Sequence, residues 1–135
     1  MMEGTSIAES DVMEYLQKHY QEADLGWVSG CHWVSDNVLL EDIDWEDRPG
    51  GIDEDKVSDK VEKLEKSQPH PVVLVAPDPE SKMRVADGYH RCAALSQSGQ
   101  SSVSAWIGVP KHDNVGWMAD VEQMQFTAKN HDPGE

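Results

Sequence analysis

The sequence predicts an α/β (α+β) fold, a small mixed sheet with flanking helices, and three observations carry that prediction. Val72-Val73-Leu74-Val75 is a continuous apolar run of strand length, entered through Pro69 and Pro71, as a strand buried on both faces requires. Ahead of it, apolar residues recur at three- and four-residue steps, at Val12, Leu16, Tyr20 and Ala23 and again at Val57, Val61 and Leu64, which is helical spacing. Helix-like and strand-like patterns then follow one another in the order helix, strand, helix, strand, strand, helix, strand, helix.

The first helix is expected from Ser10 to Ala23, with Ser10 as N-cap. Leu25 to Asn37 carries Trp27, Trp33, Gly26 and Gly30 and reads as an aromatic-rich loop or short hairpin. Its tryptophans, with Trp45, are either core or an exposed patch for a protein partner, since Trp is enriched at interface hot spots. Val38 to Ile43 reads as a short strand, ended by Asp44-Trp45-Glu46-Asp47 and the turn Arg48-Pro49-Gly50-Gly51. A second helix spans about Asp53 to Lys66, its charged residues opposite Val57, Val61 and Leu64. After Val72–Val75, a turn at Asp78-Pro79-Glu80-Ser81 returns the chain into a partner strand at Met83–Ala86. A helix from about His90 to Gln97 follows, stopped by Gly99 as its C′ residue, then a strand at Val103–Ile107. A last helix is expected near Asn114 to Phe126, and Lys129 to Glu135 should fray. The chain reads as a single domain over 1–135. Within it, 1–37 form an N-terminal helix and aromatic-rich loop, 38–108 the core, 109–128 a C-terminal helix and 129–135 a flexible tail.

Charge narrows the function classes. Eleven Lys and Arg stand against 26 Asp and Glu, a net charge of −15. A surface this negative repels phosphate backbones and anionic lipid, so direct DNA binding and membrane association are disfavoured. A small nucleotide site is compatible with it, because there a few cations and backbone N–H groups decide. No apolar run approaches transmembrane length and the opening Met-Met-Glu-Gly-Thr lacks an apolar leader, so a cytoplasmic location is expected. Cys31 and Cys92 sit in different contexts and read as free thiols.

The segment Asp87-Gly88-Tyr89-His90-Arg91 concentrates the chemistry. A strand that passes through Gly straight into a helix leaves the first helical N–H groups free for an anion. Gly88 would let the backbone approach a ligand, and His90 and Arg91 add donors, Arg91 with the forked geometry that suits phosphate oxygens. Asp87 lies beside them as a metal or hydroxyl partner. The structural alternative is that Asp87 merely caps the helix while His90 and Arg91 are solvated. Elsewhere, Asp42-x-Asp44-x-Glu46 has calcium-loop spacing, but Asp47 stands where the sharp turn needs Gly. Cys31-His32 lacks the second paired spacing of a zinc site.

From Val38 to Gly108 the chain resembles the core of the ParB/sulfiredoxin family. The resemblance rests on Ile43, Arg48-Pro49, Lys56-Val57, His70-Pro71-Val72-Val73-Leu74, Asp87-Gly88-Tyr89-His90-Arg91-Cys92-Ala93-Ala94-Leu95 and Val103-Ser104-Ala105-Trp106, in the family's order. Gly-x-His-Arg alone is a weak motif; the whole order is a stronger one. The resemblance implies that Gly88, His90 and Arg91 hold nucleotide phosphates, with Lys56 and Arg48 as further cations. It also implies ATP or another nucleoside triphosphate as cofactor, with Mg²⁺ at Asp87.

The branches of the family differ at positions present here. Sulfiredoxins place a reactive cysteine immediately before the His-Arg pair, where this chain has Tyr89, so sulfiredoxin activity is not expected. Cys92 lies on the helix and reads as packing. DNA-binding ParB proteins carry an Arg-rich signature and a helix-turn-helix domain, for which this chain has neither room nor charge. The Asp-Gly-x-His-Arg form is similar to the free-serine-kinase branch and to short ParB-like domains encoded by phages. The kinase branch implies an acidic base near Arg48: Asp44, Glu46 or Asp47, with Glu46 and Asp47 named beside Asp87 as catalytic candidates. Two readings follow, a nucleotide-phosphate-binding phosphotransferase or NTPase, and an acidic protein-interaction module that keeps the fold without turnover, phage-encoded and acting as inhibitor of a host protein. A ParB-like nuclease ranks third, because the acidic surface opposes its substrate.

Overall fold

The computed structural model describes residues 5–18, 20, 25–46, 54–66, 71–76, 82–111 and 121. Strand β1 (Thr5–Ser6) leads into helix α1 (Glu9–Gln17), and a 3-10 turn at Gly26–Gly30 leads into the long strand β2 (Cys31–Leu39). A second 3-10 turn, Leu40–Asp42, leads to β3 (Ile43–Asp44), followed by helix α2 (Glu54–Lys66) and strands β4 (Val72–Val75) and β5 (Met83–Asp87). Helix α3 (Tyr89–Gln97) and strand β6 (Ser102–Pro110) complete the described elements.

The six strands form one mixed sheet in the order β1-β2-β6-β4-β5-β3. β4 lies at its centre, parallel to β6 and antiparallel to β5, with a register shift between Val73 and Leu74. The antiparallel pair β2–β6 runs the full nine residues from Cys31↔Pro110 to Leu39↔Ser102. The expected α+β class and the shared sheet of Val72–Val75, Met83–Ala86 and Val103–Ile107 are what the structure has.

Both faces of β4 are covered, which is why Val72–Val75 reads as an unbroken apolar run. On one face Val73, Val75 and Ala86 join Val12, Tyr15, Leu16, Tyr20, Leu25, Trp27, Val28, Cys31 and Trp33. On the other, Val72, Leu74 and Val85 join Val103, Ala105, Ile107 and the α3 residues Tyr89, Cys92 and Leu95. Helix α2 packs outside α3 through Val57 against Ala93 and Ala94. α1 is anchored in the first core: Val12 and Leu16 have no exposed surface, and burying two such side chains stabilises by about 3–6 kcal/mol.

Several boundaries differ from expectation. α1 begins at Glu9 and ends at Gln17, with Ala8 rather than Ser10 as N-cap and Ser10 inside the helix. The segment expected as a loop or short hairpin from Leu25 to Asn37 is the 3-10 turn plus most of β2. Its strand character was masked because Cys31 and Trp33 face one core while Val34 and Val38 face the other. The expected strand Val38–Ile43 is broken by the Leu40–Asp42 turn. Trp27 and Trp33 are core, with ring centroids 5.8 Å apart. Trp33 lies over Gly108, where a Cβ would come within 2.8 Å of the indole. Gly99 closes α3 as expected: φ is +80°, its N–H donates to the Ser96 carbonyl at 3.1 Å and that of Gln100 to Leu95 at 3.0 Å. The turn at Asp78–Ser81, the tail and nearly all of the expected helix at 114–126 lie outside the described residues. Val121, which is described, is buried in the first core.

Candidate functional site

The signature sits where β5 ends and α3 begins. Gly88 is the N-cap of α3 with φ +116°, a conformation that residues with a Cβ rarely adopt. A Cβ there would also lie 2.6 Å from the Val72 side chain. Gly88 is thus demanded by its own backbone and by packing on β4, whereas the sequence pointed to close approach of a ligand.

Asp87 closes β5 opposite Val73 and has no exposed surface. It does not cap α3, which has no side-chain cap. Its carboxylate faces the N-terminal segment instead: the Tyr15 hydroxyl donates to Oδ2 at 2.9 Å and the Tyr20 hydroxyl to Oδ1 at 2.6 Å. Arg91 lies one helical turn on. Its Nη2 donates to the Tyr15 hydroxyl at 3.2 Å and its Nη1 to the carbonyl of Pro71, just ahead of β4, at 3.0 Å. The result is a continuous relay from Pro71 through Arg91 and Tyr15 to Asp87, closed by Tyr20. It links α1, β4, β5 and α3.

The relay is shielded from solvent except at its Pro71 end, which is half-buried. His90 has no exposed surface, Arg91 is 6% exposed and Tyr89 4%. The opening turn of α3 therefore does not face outward, contrary to the expectation of an open anion site, and His90 and Arg91 are not solvated either. Burial, with the Asp87 carboxylate beside it, pushes the Tyr15 hydroxyl up to about 12, so Tyr15 stays a hydrogen-bond donor at ordinary pH. Burial works to lower Arg91, but Tyr15 and Asp87 outweigh it and the guanidinium is raised. The edge of Trp106 on β6 braces the Tyr15 ring, at 5.7 Å between centroids and 83° between planes.

The structure brings Asp87, Gly88, His90 and Arg91 together. Lys56 is set apart: Gln97 meets Glu54 at 3.4 Å and Val57 packs on Ala93 and Ala94. The backbone of Lys56 therefore runs beside the C-terminal half of α3, while its side chain lies outside the described residues. β3 runs parallel to β5, pairing Asp44 with Arg84, and Glu46 beyond it is exposed. Asp47 and Arg48 lie outside the described residues. As arranged, Asp87 has both carboxylate oxygens engaged by tyrosines, and among the described residues no three His, Cys, Asp or Glu side chains assemble for a metal. Mg²⁺ does not fit at Asp87 while Tyr15 and Tyr20 are docked.

Sequence reasoning missed Tyr15, Tyr20 and Pro71 as site partners. A signal for the tyrosines was present: Tyr20 falls on the apolar stripe expected for the first helix, Tyr15 stands beside Leu16 of the same stripe, and a buried Tyr needs a partner for its hydroxyl. Cys92 is fully buried and its thiol is pushed up to about 12, which agrees with a packing role. No helix among the described residues is long and apolar enough to cross a membrane.

Neither a protein-family model nor a curated protein matches the chain. Among solved structures it is similar to a Pnob8-like ParB-N domain, at 18% identity and a TM-score of 0.46. That similarity covers 73% of this chain and 37% of the other, so the chain spans well under half the length of that protein.

Proposed function

We propose that the chain is a ParB/sulfiredoxin-like domain that binds nucleotide phosphates at the β5–α3 junction. What supports this most is Arg91. Its guanidinium stands at the start of a helix, next to a positive-φ glycine and His90, and it donates to two oxygens, the Pro71 carbonyl and the Tyr15 hydroxyl. A phosphate oxygen has the same acceptor chemistry as that hydroxyl and adds charge, so it would make the stronger bond to Arg91. Gly88, His90 and Arg91 would hold the phosphates of ATP or another triphosphate, with Arg48 and Lys56 as further cations. Phosphotransfer or hydrolysis would need Mg²⁺ with the phosphates, and Glu46 or Asp47 as base.

Affinity in this reading is limited by α1. Its docking through Val12 and Leu16 is worth about 3–6 kcal/mol, and a ligand that requires it to move loses roughly 10²–10⁴ in apparent affinity. Weak binding is therefore expected. Thermal shift with ATP, CTP and GTP, with and without Mg²⁺, tests it, because a ligand bound to the native state raises the melting temperature.

One observation favours a second reading, a protein-interaction module without turnover. Asp87, His90 and Arg91 are all buried, and Asp87 and Arg91 are tied to the molecule's own groups. In that case the signature holds the fold together, and the −15 charge offers a negative surface to a basic protein partner. Absence of any nucleotide shift, with capture of a basic partner that is released by salt, supports this reading over the first.

A further inference from the structure

We propose that the cleft between β1, the start of α1 and the Cys31 end of β2 binds a small zwitterion, with its ammonium at Glu9 and its carboxylate at Lys111. The ligand class has an apolar body between its two charges, as in an ω-amino acid or a short peptide. No residue of the cleft belongs to the β5–α3 junction, so the proposal is independent of the nucleotide reading.

The path of the chain makes the cleft. β1 pairs with β2 at Val34 and Ser35, and the Ile7 N–H still reaches the Trp33 carbonyl at 3.2 Å. The chain then turns into α1 at Glu9, and a cleft of about 360 Å³ opens beside Cys31–Val34. Lys111 directly follows β6, and its N–H donates to the Gly30 carbonyl at 2.9 Å, which fixes it at the same end of the sheet. Ile7, Trp33 and Val34 supply apolar surface, and each is anchored in a core.

Glu9 and Lys111 both line the cleft yet form no ion pair with each other. Among the described residues the side chains of Ser6, Glu9 and His32 make no hydrogen bond, and the Lys111 ammonium makes one, to the Ser29 carbonyl at 3.3 Å. Both charges act on the Cys31 thiol: burial raises it to about 11, Lys111 works to lower it and Glu9 adds to the rise. A carboxylate and an ammonium that flank one thiol without meeting match a ligand whose own charges are opposite and separated. Ser6 and His32 add hydrogen-bonding groups at the rim. The volume lies at the small end of ligand sites, which suits a molecule of this size. A chain of net charge −15 repels simple anions, whereas a zwitterion carries no net charge to repel.

The test is an amide NMR titration of the whole chain with ε-aminocaproate and with alanyl-alanine, which separates the two sources of such a ligand. Each is run beside analogues that lack one charge: hexanoate and hexylamine for the first, the N-acetylated and the C-amidated dipeptide for the second. Shifts confined to residues 6–9, 31–34 and 111 are expected, and loss of either ligand charge should weaken binding roughly threefold or more. Glu9→Gln should weaken the zwitterions and leave hexanoate unchanged, while Lys111→Met should weaken them and leave hexylamine unchanged. The zwitterion that binds more tightly identifies the source. Absence of shifts in the cleft at millimolar concentrations of both would overturn the proposal. So would hexylamine binding as tightly as ε-aminocaproate, because an acidic chain attracts any amine and only the carboxylate reports on Lys111. The analogues need no variant, so they decide the matter even where a substitution disturbs folding.

Discussion

Tyr20 and Asp87 are joined by a 2.6 Å hydrogen bond across 67 residues of sequence, inside a core where neither has exposed surface. With Tyr15 on the other carboxylate oxygen and Arg91 on Tyr15, the pair makes the signature an internal junction. A buried polar network is stabilising only when every member is satisfied. Its members should therefore tolerate little change.

Tyr15→Phe removes a donor to Asp87 and an acceptor for Arg91 while keeping the ring against Trp106. Leaving buried polar groups under-bonded costs about 1–3 kcal/mol. Urea denaturation should show that loss at an unchanged slope, and a variant as stable as the parent would contradict the relay.

Tyr15 also predicts an alkaline limit. Its hydroxyl stands at about 12 in the folded chain against 10.0 for an ordinary tyrosine. The folded state thus holds a proton that the unfolded state releases first. The stabilisation is complete below pH 10 and is lost as pH rises toward 12, with a total of about 2–3 kcal/mol. Stability measured from pH 9 to 12 should fall more steeply for the parent than for Tyr15→Phe; parallel curves would refute the assignment.

Much of the fold is legible in the sequence because its signals are local. The β4 run, the Gly99 stop and the apolar stripe of α2 each depend on a few neighbouring residues. β2 was harder to see, since Cys31 and Trp33 go to one core and Val34 and Val38 to the other, which erases the polar–apolar alternation of a half-exposed strand. The candidate site was legible in part. Asp87, Gly88, His90 and Arg91 stand together at the β5–α3 junction while Lys56 does not, and the surroundings of those four depend on α1, which meets them only through tertiary contact. No local pattern says that Tyr15 and Tyr20 will sit on Asp87.

Gly88→Ala combines a left-handed backbone with a Cβ 2.6 Å from Val72. Strain of about 1–3 kcal/mol and overpacking of similar size should add. A loss of more than about 2 kcal/mol is expected in thermal or urea unfolding, and a neutral substitution would show that the junction relaxes freely.

Cys31 and Cys92 are 2% and 0% exposed, and burial pushes their thiols up to about 11 and about 12. Reactivity needs an accessible thiolate, so neither should be labelled by a thiol reagent in the folded protein at pH 7, and both should be labelled once urea unfolds it. With Tyr89 ahead of His90, the chain should also fail to reduce a protein sulfinic acid. Fast native labelling of Cys92, or sulfinic reduction lost on Cys92→Ser, would reverse this view.

Nucleotide binding at Arg91 is the central claim, and titration calorimetry with ATP and Mg²⁺ on the parent chain and on Arg91→Lys tests it most directly. Lysine keeps the positive charge but loses the forked pair of donors that reaches two acceptors at once. The account predicts weak, measurable heat for the parent and at least a tenfold loss for a folded Arg91→Lys. Equal binding by the two, or none by the parent at millimolar ATP, would contradict it.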